Sequence, residues 1–278
     1  MPLTLERIGL TRRGRMPLQD LNLEVDDGSW LAVVGANGSG RSTLAEVATG
    51  LRKPQTGRVL LDGEDIWSRE GKVLRDRLGL VMQRAEDQFL GMTVYDDVAF
   101  GPRDRCTDEA EIHAAVTEAL RMVGFELDDV AGRSPLQLSG GQRRRVAVAA
   151  ILAIRPDVLI LDEPFAGLDA EARQDMARLL NALTGSGERT VITLTSDLQE
   201  VQGAGRIAVL AEGRIVLTGS LADMVANRRV CREAGVTLPD RIRIALELRE
   251  RGWNVPVIGA EGKLEEAIAG EWRRRKHA

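Results

Sequence analysis

A glycine-rich stretch, GANGSGRST at residues 35–43, has the composition of a loop that binds phosphate through its backbone N–H groups. It directly follows the apolar run WLAVV, and its last two residues begin STLAEVATGL, which has helical spacing. A strand, a loop of this kind and a helix N-terminus together surround one anion. The alternative is an ordinary glycine turn between a strand and a helix. The residues predicted to contact a nucleotide are Gly35, Asn37, Gly38, Ser39, Gly40, Arg41, Ser42 and Thr43.

Two positions of this loop have the most specific chemistry. Ser42 stands where a hydroxyl would hold Mg²⁺, and Arg41 stands where a lysine usually reaches the β- and γ-phosphates. Arginine keeps the positive charge, but its guanidinium is planar and forked whereas lysine presents a compact point charge. Attraction for phosphate is therefore expected to survive, with a changed fit around the γ-phosphate.

An acidic pair ends a second apolar run, in VLILDEPFAGLD at residues 158–169. Asp162 suits a Mg²⁺-binding carboxylate at the end of a strand, and Glu163 suits a base or polariser for an attacking water. Strands that end in acidic residues are common, so the pair by itself also fits an ordinary strand end. Its occurrence after a phosphate-loop candidate favours a nucleotide site.

A third stretch, LSGGQRRRVAVAAIL from residue 138, places small polar residues at the start of a strongly apolar helix. This start is a second helix N-terminus that can attract an anion. A plain N-cap followed by flexible glycines is the alternative. The residues predicted to contact nucleotide here are Ser139, Gly140, Gly141 and Gln142.

Composition restricts the classes of function that are open to the chain. It has 278 residues, 44% of them apolar, and a formal net charge of −4, which does not favour nucleic acid as a partner. Cys106 and Cys231 lie outside any metal-ligand spacing, which predicts a reducing cytosol. The longest apolar run, VAVAAILAI, is shorter than the roughly 20 residues of a membrane span and is predicted to be a buried helix.

The elements that must position these residues alternate between strand and helix patterns. The strand patterns include LTLERIGL, LNLEV, WLAVV, GRVLLDGEDI, DVLILD and TVITLTS, and AEARQDMARLLNAL is helical. Helical patterns dominate from about 88 to 154, where TDEAEIHAAVTEALRMVGF is predicted to begin with Thr107 as its cap. The alternation predicts an α/β domain with a mostly parallel sheet. From about residue 219, three helical patterns predict a small α-rich extension.

Taken in order, GANGSGRST, Gln83 in VMQRAEDQF, LSGGQ, LILDEP and GLD resemble the nucleotide-binding subunit of ATP-binding-cassette (ABC) transporters over about residues 3–218. The resemblance implies a P-loop NTPase fold: a RecA-like core with an antiparallel β subdomain and a helical subdomain. It also implies ATP and Mg²⁺ as cofactors. In that family two cassettes pair head to tail, and each ATP lies between the phosphate loop of one and the LSGGQ signature of the other. By the same resemblance, Gln83 would contact Mg²⁺ and water, and Asp169 would communicate across the dimer.

A narrower resemblance concerns EDQFLGMTVYDDVAFGP and the tail segment LPDRIRIALELRERGW. Both are similar to the ATPases of the energy-coupling-factor and cobalt/nickel importer group. In that group the C-terminal extension, here residues 219–278, helps hold two ATPases together. Three solvated helices that cover an apolar patch are the alternative. The implied partners are a second ATPase, a transmembrane coupling protein and a substrate-binding membrane protein, at the cytoplasmic face of the membrane.

The sequence departs from the family pattern at two further places. Ser196 occupies the position of a histidine that grips the γ-phosphate and the attacking water; both histidines of the chain, His113 and His277, lie elsewhere. Loss of one preorganised donor typically costs about 3 kcal/mol, a hundredfold or more in rate. No aromatic ring is present between residues 11 and 17 to stack on adenine, although Arg12 or Arg13 could stack instead.

These departures fall in the site built on this chain's own phosphate loop, whereas the signature is intact. The sequence therefore predicts the weaker-site half of a heterodimeric transport ATPase, for a vitamin or a transition-metal ion. A fully active homodimer and a non-hydrolysing ATP-sensing subunit are the alternatives. An ABC ATPase that acts on DNA or the ribosome is disfavoured because the chain has neither a long coiled-coil insertion nor two cassettes.

Overall fold

The computed structural model describes residues 3–12, 14–84, 87–185, 187, 189–258 and 262–276. Its larger sheet has six strands, of which five are parallel and the edge strand at one side is antiparallel. Its smaller sheet has four antiparallel strands. The strands are β1 (Leu3–Arg12), β2 (Arg15–Val25), β3 (Trp30–Val34), β4 (Thr56–Leu61), β5 (Glu64–Asp65), β6 (Leu78–Val81), β7 (Val158–Asp162), β8 (Thr190–Thr195), β9 (Arg206–Ala211) and β10 (Arg214–Gly219).

The helices cover both faces of the larger sheet, whose order is β10-β9-β3-β8-β7-β6. This arrangement confirms the predicted α/β class. The helices are α1 (Arg41–Ala48), α2 (Gly71–Arg75), α3 (Val94–Arg105), α4 (Glu109–Met122), α5 (Leu127–Val130), α6 (Gly140–Leu152), α7 (Ala170–Gly185), α8 (Leu221–Ala226), α9 (Arg228–Glu233), α10 (Asp240–Glu250) and α11 (Lys263–Lys276). None of those within the described ranges is long and apolar enough to cross a membrane.

Buried strands with two apolar faces divide the core into two layers. Along β3, Trp30, Ala32 and Val34 belong to the layer formed with α3, α4, α6 and α7. Leu31 and Val33 belong to the layer formed with α1 and the antiparallel sheet. Because side chains alternate across a strand, continuous apolar runs are what a sheet covered on both sides requires.

The predicted helical region lies between β6 and β7, and α3, α4 and α6 pack against one another there. One detail of the prediction is wrong. The N-cap of α4 is Asp108 rather than Thr107, since the Asp108 carboxylate accepts a hydrogen bond from the N–H of Ala110 at 2.8 Å. Aspartate is as good a cap as threonine and its acceptor is charged, so the helix starts one residue later.

The C-terminal region contains four helices rather than three, because the first predicted pattern is divided at Asn227 into α8 and α9. The segment formed by α8, α9 and the residues just after them packs into the main core through Met224, Cys231 and Val236. A small separate cluster joins Ala245, Val255 and Leu264.

This region also approaches the loops at the sheet edge. Thr237 forms a parallel β-bridge with Asp197, which follows β8. A Cβ placed on Gly235 would lie 2.9 Å from the Cβ of Ala36 in the phosphate loop. The C-terminal region is therefore in direct contact with both loops.

A buried side-chain hydrogen bond joins the two central strands. The indole N–H of Trp30 in β3 donates to the Thr193 hydroxyl in β8 at 2.9 Å, and both side chains are almost fully buried. Without Thr193 the indole would have to be buried with its donor unpaired, which is more costly than a missing surface hydrogen bond.

We therefore expect Thr193→Val to lower the free energy of unfolding by about 1–3 kcal/mol, measured by urea denaturation. The matched control is Thr218→Val at an exposed position of β10, where a change within about 0.5 kcal/mol is expected. Equal effects of the two substitutions would show that the Trp30 bond does not stabilise the sheet.

Candidate functional site: a nucleotide cleft at the sheet edge

The glycine-rich loop lies at the carboxyl edge of the parallel sheet, between β3 and α1. The Gly35 N–H donates to the carbonyl of Thr195 at 3.2 Å, which ties the loop to the end of β8. Gly40 has φ +112°, and a Cβ there would lie 2.2 Å from the Pro17 carbonyl oxygen. Only glycine fits this conformation and this close approach.

A cleft of about 630 Å³ opens above the loop. It combines the loop backbone with the acidic pair after β7 and with Gln83 after β6. The lining residues are Pro17, Ala36, Asn37, Gly38, Gly40, Arg41, Ser42, Thr43, Gln83, Asp162 and Glu163. The structure thus brings together most of the residues that were predicted to bind nucleotide and Mg²⁺. Gly35 and Ser39 belong to the same loop but do not line this cleft.

Arg41 is folded back onto its own loop, with only 8% of the residue exposed. One guanidinium nitrogen, Nη1, donates to the carbonyl oxygens of Gly35 and of Ala36, the latter at 3.0 Å. The other, Nη2, forms an ion pair with Oε1 of Glu163. The guanidinium therefore occupies the interior of the phosphate loop, where it neutralises Glu163.

Glu163 is fixed by its backbone as well as by Arg41. It has a left-handed φ of +51°, and its N–H donates to the Leu194 carbonyl at 2.7 Å. Its second oxygen, Oε2, lies 3.2 Å from the hydroxyl of Thr195. A buried carboxylate in an uncommon backbone conformation is typical of a functional position.

The Asp162 carboxylate accepts a hydrogen bond from the Ser42 hydroxyl of the loop. Burial raises the pKa of Asp162, the hydrogen bond from Ser42 lowers it, and the charge of Glu163 raises it further. A carboxylate and a hydroxyl that already meet are hard oxygen ligands of the kind that Mg²⁺ uses together with substrate phosphates. The residues present therefore fit a Mg²⁺ ion, and its charge would offset the cost of burying Asp162.

The signature residues lie outside the cleft. Ser139 caps α6, its hydroxyl accepting from the N–H of Gln142 at 3.2 Å, while the Gln142 side chain accepts from the N–H of Ser139 at 3.0 Å. Asp169 similarly accepts from the N–H of Ala172 at 2.9 Å at the start of α7. Ser139, Gly140, Gly141, Gln142 and Asp169 are therefore not assembled with this chain's own phosphate loop.

Ser196 is exposed directly after β8, beside Thr195, which is completely buried. The predicted adenine contact cannot be placed, because Arg13 and the side chain of Arg12 lie outside the described residues. Pro17, which was not predicted, lines the cleft.

Four polar residues around the site were missed from the sequence. Thr195 and Glu200 contact each other beside Glu163. Arg173 lies 3.9 Å from Glu200. Arg144 is buried and donates a hydrogen bond to the Met82 carbonyl, next to Gln83. Their only sequence signal is proximity to recognised motifs: Thr195 precedes Ser196, and Arg144 follows the signature.

Comparisons with known proteins agree with this geometry. The ABC transporter family profile matches residues 18–166. A bacterial ABC transporter cassette solved as a dimer aligns with a TM-score of 0.72 and 26% identity, over 78% of this chain and 98% of its own. The chain therefore belongs to the ABC transporter family and has its ATPase fold.

Individual relatives identify a smaller group within this family. The energy-coupling factor transporter ATP-binding protein EcfA2 of Symbiobacterium thermophilum is 39% identical over 92% of this chain and 91% of its own length. EcfA1 of the same organism is 40% identical over 94% and 91%. The structure of cbiO1 from Clostridium perfringens, part of the complex cbiONQ, aligns with a TM-score of 0.74 and 33% identity, over 90% of this chain and 96% of its own. Within the ABC family, the chain is an energy-coupling factor ATP-binding subunit.

The Arg41–Glu163 ion pair makes a direct prediction for the nucleotide-free protein. We expect Arg41→Met to lower the free energy of unfolding by about 3–5 kcal/mol, because Glu163 would then be a buried, unpaired charge. Glu163→Gln added to Arg41→Met should restore at least half of the loss. Urea denaturation of the two single variants and the double variant gives the coupling energy; strictly additive effects would contradict a stabilising pair.

Proposed function

We propose that the chain binds and hydrolyses ATP to energise an importer of a vitamin or a transition-metal ion, and that it is the weaker-site half of a heterodimeric ATPase pair. The observation that carries the weaker-site part is the engagement of Arg41 with Glu163. The residue expected to attract the γ-phosphate and the residue expected to polarise water neutralise each other. The exposed Ser196, in place of a charged and longer histidine, removes a second contact to the reacting phosphate.

In this proposal, ATP binding requires that Arg41 exchange the loop carbonyls and Glu163 for phosphate oxygens. Glu163 is then free to orient and polarise the attacking water. Ser42, Asp162 and Gln83 would hold Mg²⁺, which supplies charge stabilisation to the β- and γ-phosphates when it is bound. The loop N–H groups would bind the phosphates once the guanidinium has left the interior of the loop.

The signature serves the partner's nucleotide in this arrangement. The N-terminus of the 13-residue helix α6 has its capping serine, Ser139, on an exposed surface, together with Gly140. Helix N-terminal N–H groups and a serine hydroxyl suit the γ-phosphate of an ATP held by another chain. Asp169 would contact the same partner. The faster of the two hydrolysis sites would then be the one that this signature completes.

The segment 82–100 is the surface that we assign to the transmembrane coupling protein. Its exposed apolar side chains are Met82, Leu90, Met92 and Phe100, with exposed fractions of 38%, 68%, 87% and 57%. Large apolar side chains gathered in one segment are typical of an interaction surface. Because Gln83 is in this segment and also lines the cleft, docking there would reach the nucleotide site.

The C-terminal region is proposed as the second contact between the two ATPases. We divide the chain into a nucleotide-binding domain at residues 1–218, with its helical subdomain at about 88–154, and an extension at 219–278. In the extension, Ile244 and Trp272 are more than half exposed, at 51% and 62%. Such side chains would gain by burial against a second ATPase. The complete assembly would also include a substrate-binding membrane protein and lie at the cytoplasmic face of the membrane.

The weaker-site proposal predicts a gain of activity. The variant is Arg41→Lys combined with Ser196→His, assayed in an ATPase pair whose partner site is inactivated. Turnover at this chain's own site should rise by about tenfold or more, because each restored donor stabilises the negative charge that develops on the phosphate in the transition state. The control is Arg178→Lys, the same exchange on the surface. Rapid turnover by the unmodified chain, with no gain in the double variant, would favour two equivalent sites instead.

If the segment 82–100 is the docking surface, its exposed apolar side chains are needed for binding to the coupling protein. Met92→Ser and Leu90→Ser should each weaken co-purification with the transmembrane coupling protein about tenfold, because burial of one such side chain contributes about 1.5–3 kcal/mol. The control is Val73→Ser, equally exposed at 68% but outside the segment. If all three variants bind the coupling protein alike, the segment 82–100 is not the docking surface.

A further inference from the structure

A single buried hydroxyl lies between two carboxylates at the edge of the nucleotide cleft. Oγ1 of Thr195 is 3.2 Å from Oε2 of Glu163 and 2.6 Å from Oε2 of Glu200. The same oxygen accepts the N–H of Asp197 at 3.2 Å. Thr195 itself is fully buried.

The hydroxyl has only one hydrogen, and it therefore can donate to only one carboxylate at a time. When both carboxyl groups are ionised, the shorter contact places this hydrogen on Glu200 and leaves Glu163 without it. When Glu200 is protonated, Glu200 becomes the donor to Thr195, and the hydrogen of Thr195 is released to Glu163. The protonation state of Glu200 thus determines whether the Thr195 hydroxyl donates its hydrogen bond to Glu200 or to Glu163.

The surroundings of Glu200 favour the protonated form more than water does. Its side chain is 8% exposed, and the guanidinium of Arg173 in α7 lies 3.9 Å from Oε1. Burial raises the pKa of Glu200, the hydrogen bond from Thr195 lowers it, the charges of Asp197 and Glu163 raise it, and Arg173 lowers it. Glu200 therefore gains its proton at a higher pH than an exposed glutamate does.

We propose that Thr195 is a positioning residue for Glu163 and that Glu200 controls it, by setting whether the Thr195 hydroxyl donates to Glu163 or to Glu200. The inference rests on the proposed role of Glu163 in polarising water. Oε1 of Glu163 is bonded to Arg41, and Oε2 lies 3.2 Å from the Thr195 hydroxyl, which donates to it when Glu200 is protonated. Once Arg41 turns to phosphate, Thr195 is the side chain that orients Glu163, provided that Glu200 is protonated.

The contact between Thr195 and Glu163 lies next to the position at which the family pattern has a histidine. Thr195 is adjacent to Ser196, where the family pattern has a histidine, and Ser196 itself is exposed. The Thr195 hydroxyl, bonded to Glu200, supplies a buried contact to Glu163 one residue before that position. The Thr195–Glu200 pair thus partly replaces the orientation that a histidine side chain would provide.

The kinetic test uses the full chain in its ATPase pair, with the partner site inactivated. Thr195→Val keeps the shape of the side chain and removes the hydroxyl; we expect kcat to fall about 10- to 100-fold, with KM for ATP within about twofold. Thr195→Ser, which keeps the hydroxyl, should stay within about threefold of the parent. An unchanged kcat in Thr195→Val, or an equal fall in Thr195→Ser, would overturn the positioning role. Gln199→Ala, an exposed neighbour in the same turn, is the control.

A second test needs no turnover and therefore separates this inference from the proposed function. Infrared difference spectra across a pH titration report the protonated carboxyl of Glu200, which is assigned by its loss in Glu200→Gln. Because the bond from Thr195 lowers the pKa of Glu200, Thr195→Val should raise that pKa further and Thr195→Ser should leave it in place. An unshifted Glu200 titration in Thr195→Val would overturn the proposed coupling, whether or not the site hydrolyses ATP.

Discussion

Backbone hydrogen bonds between the ends of three parallel strands are the constraint on which the site depends. The loop after β3 is joined to the end of β8 through the Gly35 N–H, and Glu163 after β7 is joined to the same strand through Leu194. Residues far apart in sequence are thereby held at one edge of the sheet, with two apolar layers fixing the strands from both sides. Because these bonds belong to the backbone, side chains at the edge can vary while the cleft keeps its shape.

The arginine at position 41 has its clearest structural effect in its ion pair with Glu163. The attraction within a buried ion pair does little more than offset the free energy of desolvating its two charges. Removal of one partner nevertheless destabilises the protein, because the other charge is then buried without a partner. Arg41 and Glu163 therefore stabilise each other only as a pair, and under the proposed function phosphate would compete with Glu163 for the guanidinium. The longer, forked side chain makes this possible, because it bonds loop carbonyls and a carboxylate at once.

Much of the fold could be predicted from local patterns. Continuous apolar runs identified β3, β7 and β8, and the signature identified the start of α6, because each is set by periodicity or by a cap within a few residues. The error at Thr107 arose between two adjacent residues that both cap well. The contact between Arg41 and Glu163 could not be predicted, since it depends on two loops 122 residues apart meeting at the sheet edge. Thr195 and Glu200 were missed for the same reason: a threonine in a strand and a glutamate in a turn become distinctive only when burial brings them together.

The β-bridge between Asp197 and Thr237, with the approach of Gly235 to Ala36, has a practical consequence for any attempt to shorten this protein. Removal of everything after β10 would expose the part of the main core that Met224 covers. It would also remove Thr237, whose backbone pairs with Asp197 next to Ser196. A minimal cassette cut at that point would therefore differ from the intact chain in the loops at the sheet edge as well as in length. Kinetic constants measured on such a fragment would describe a different enzyme.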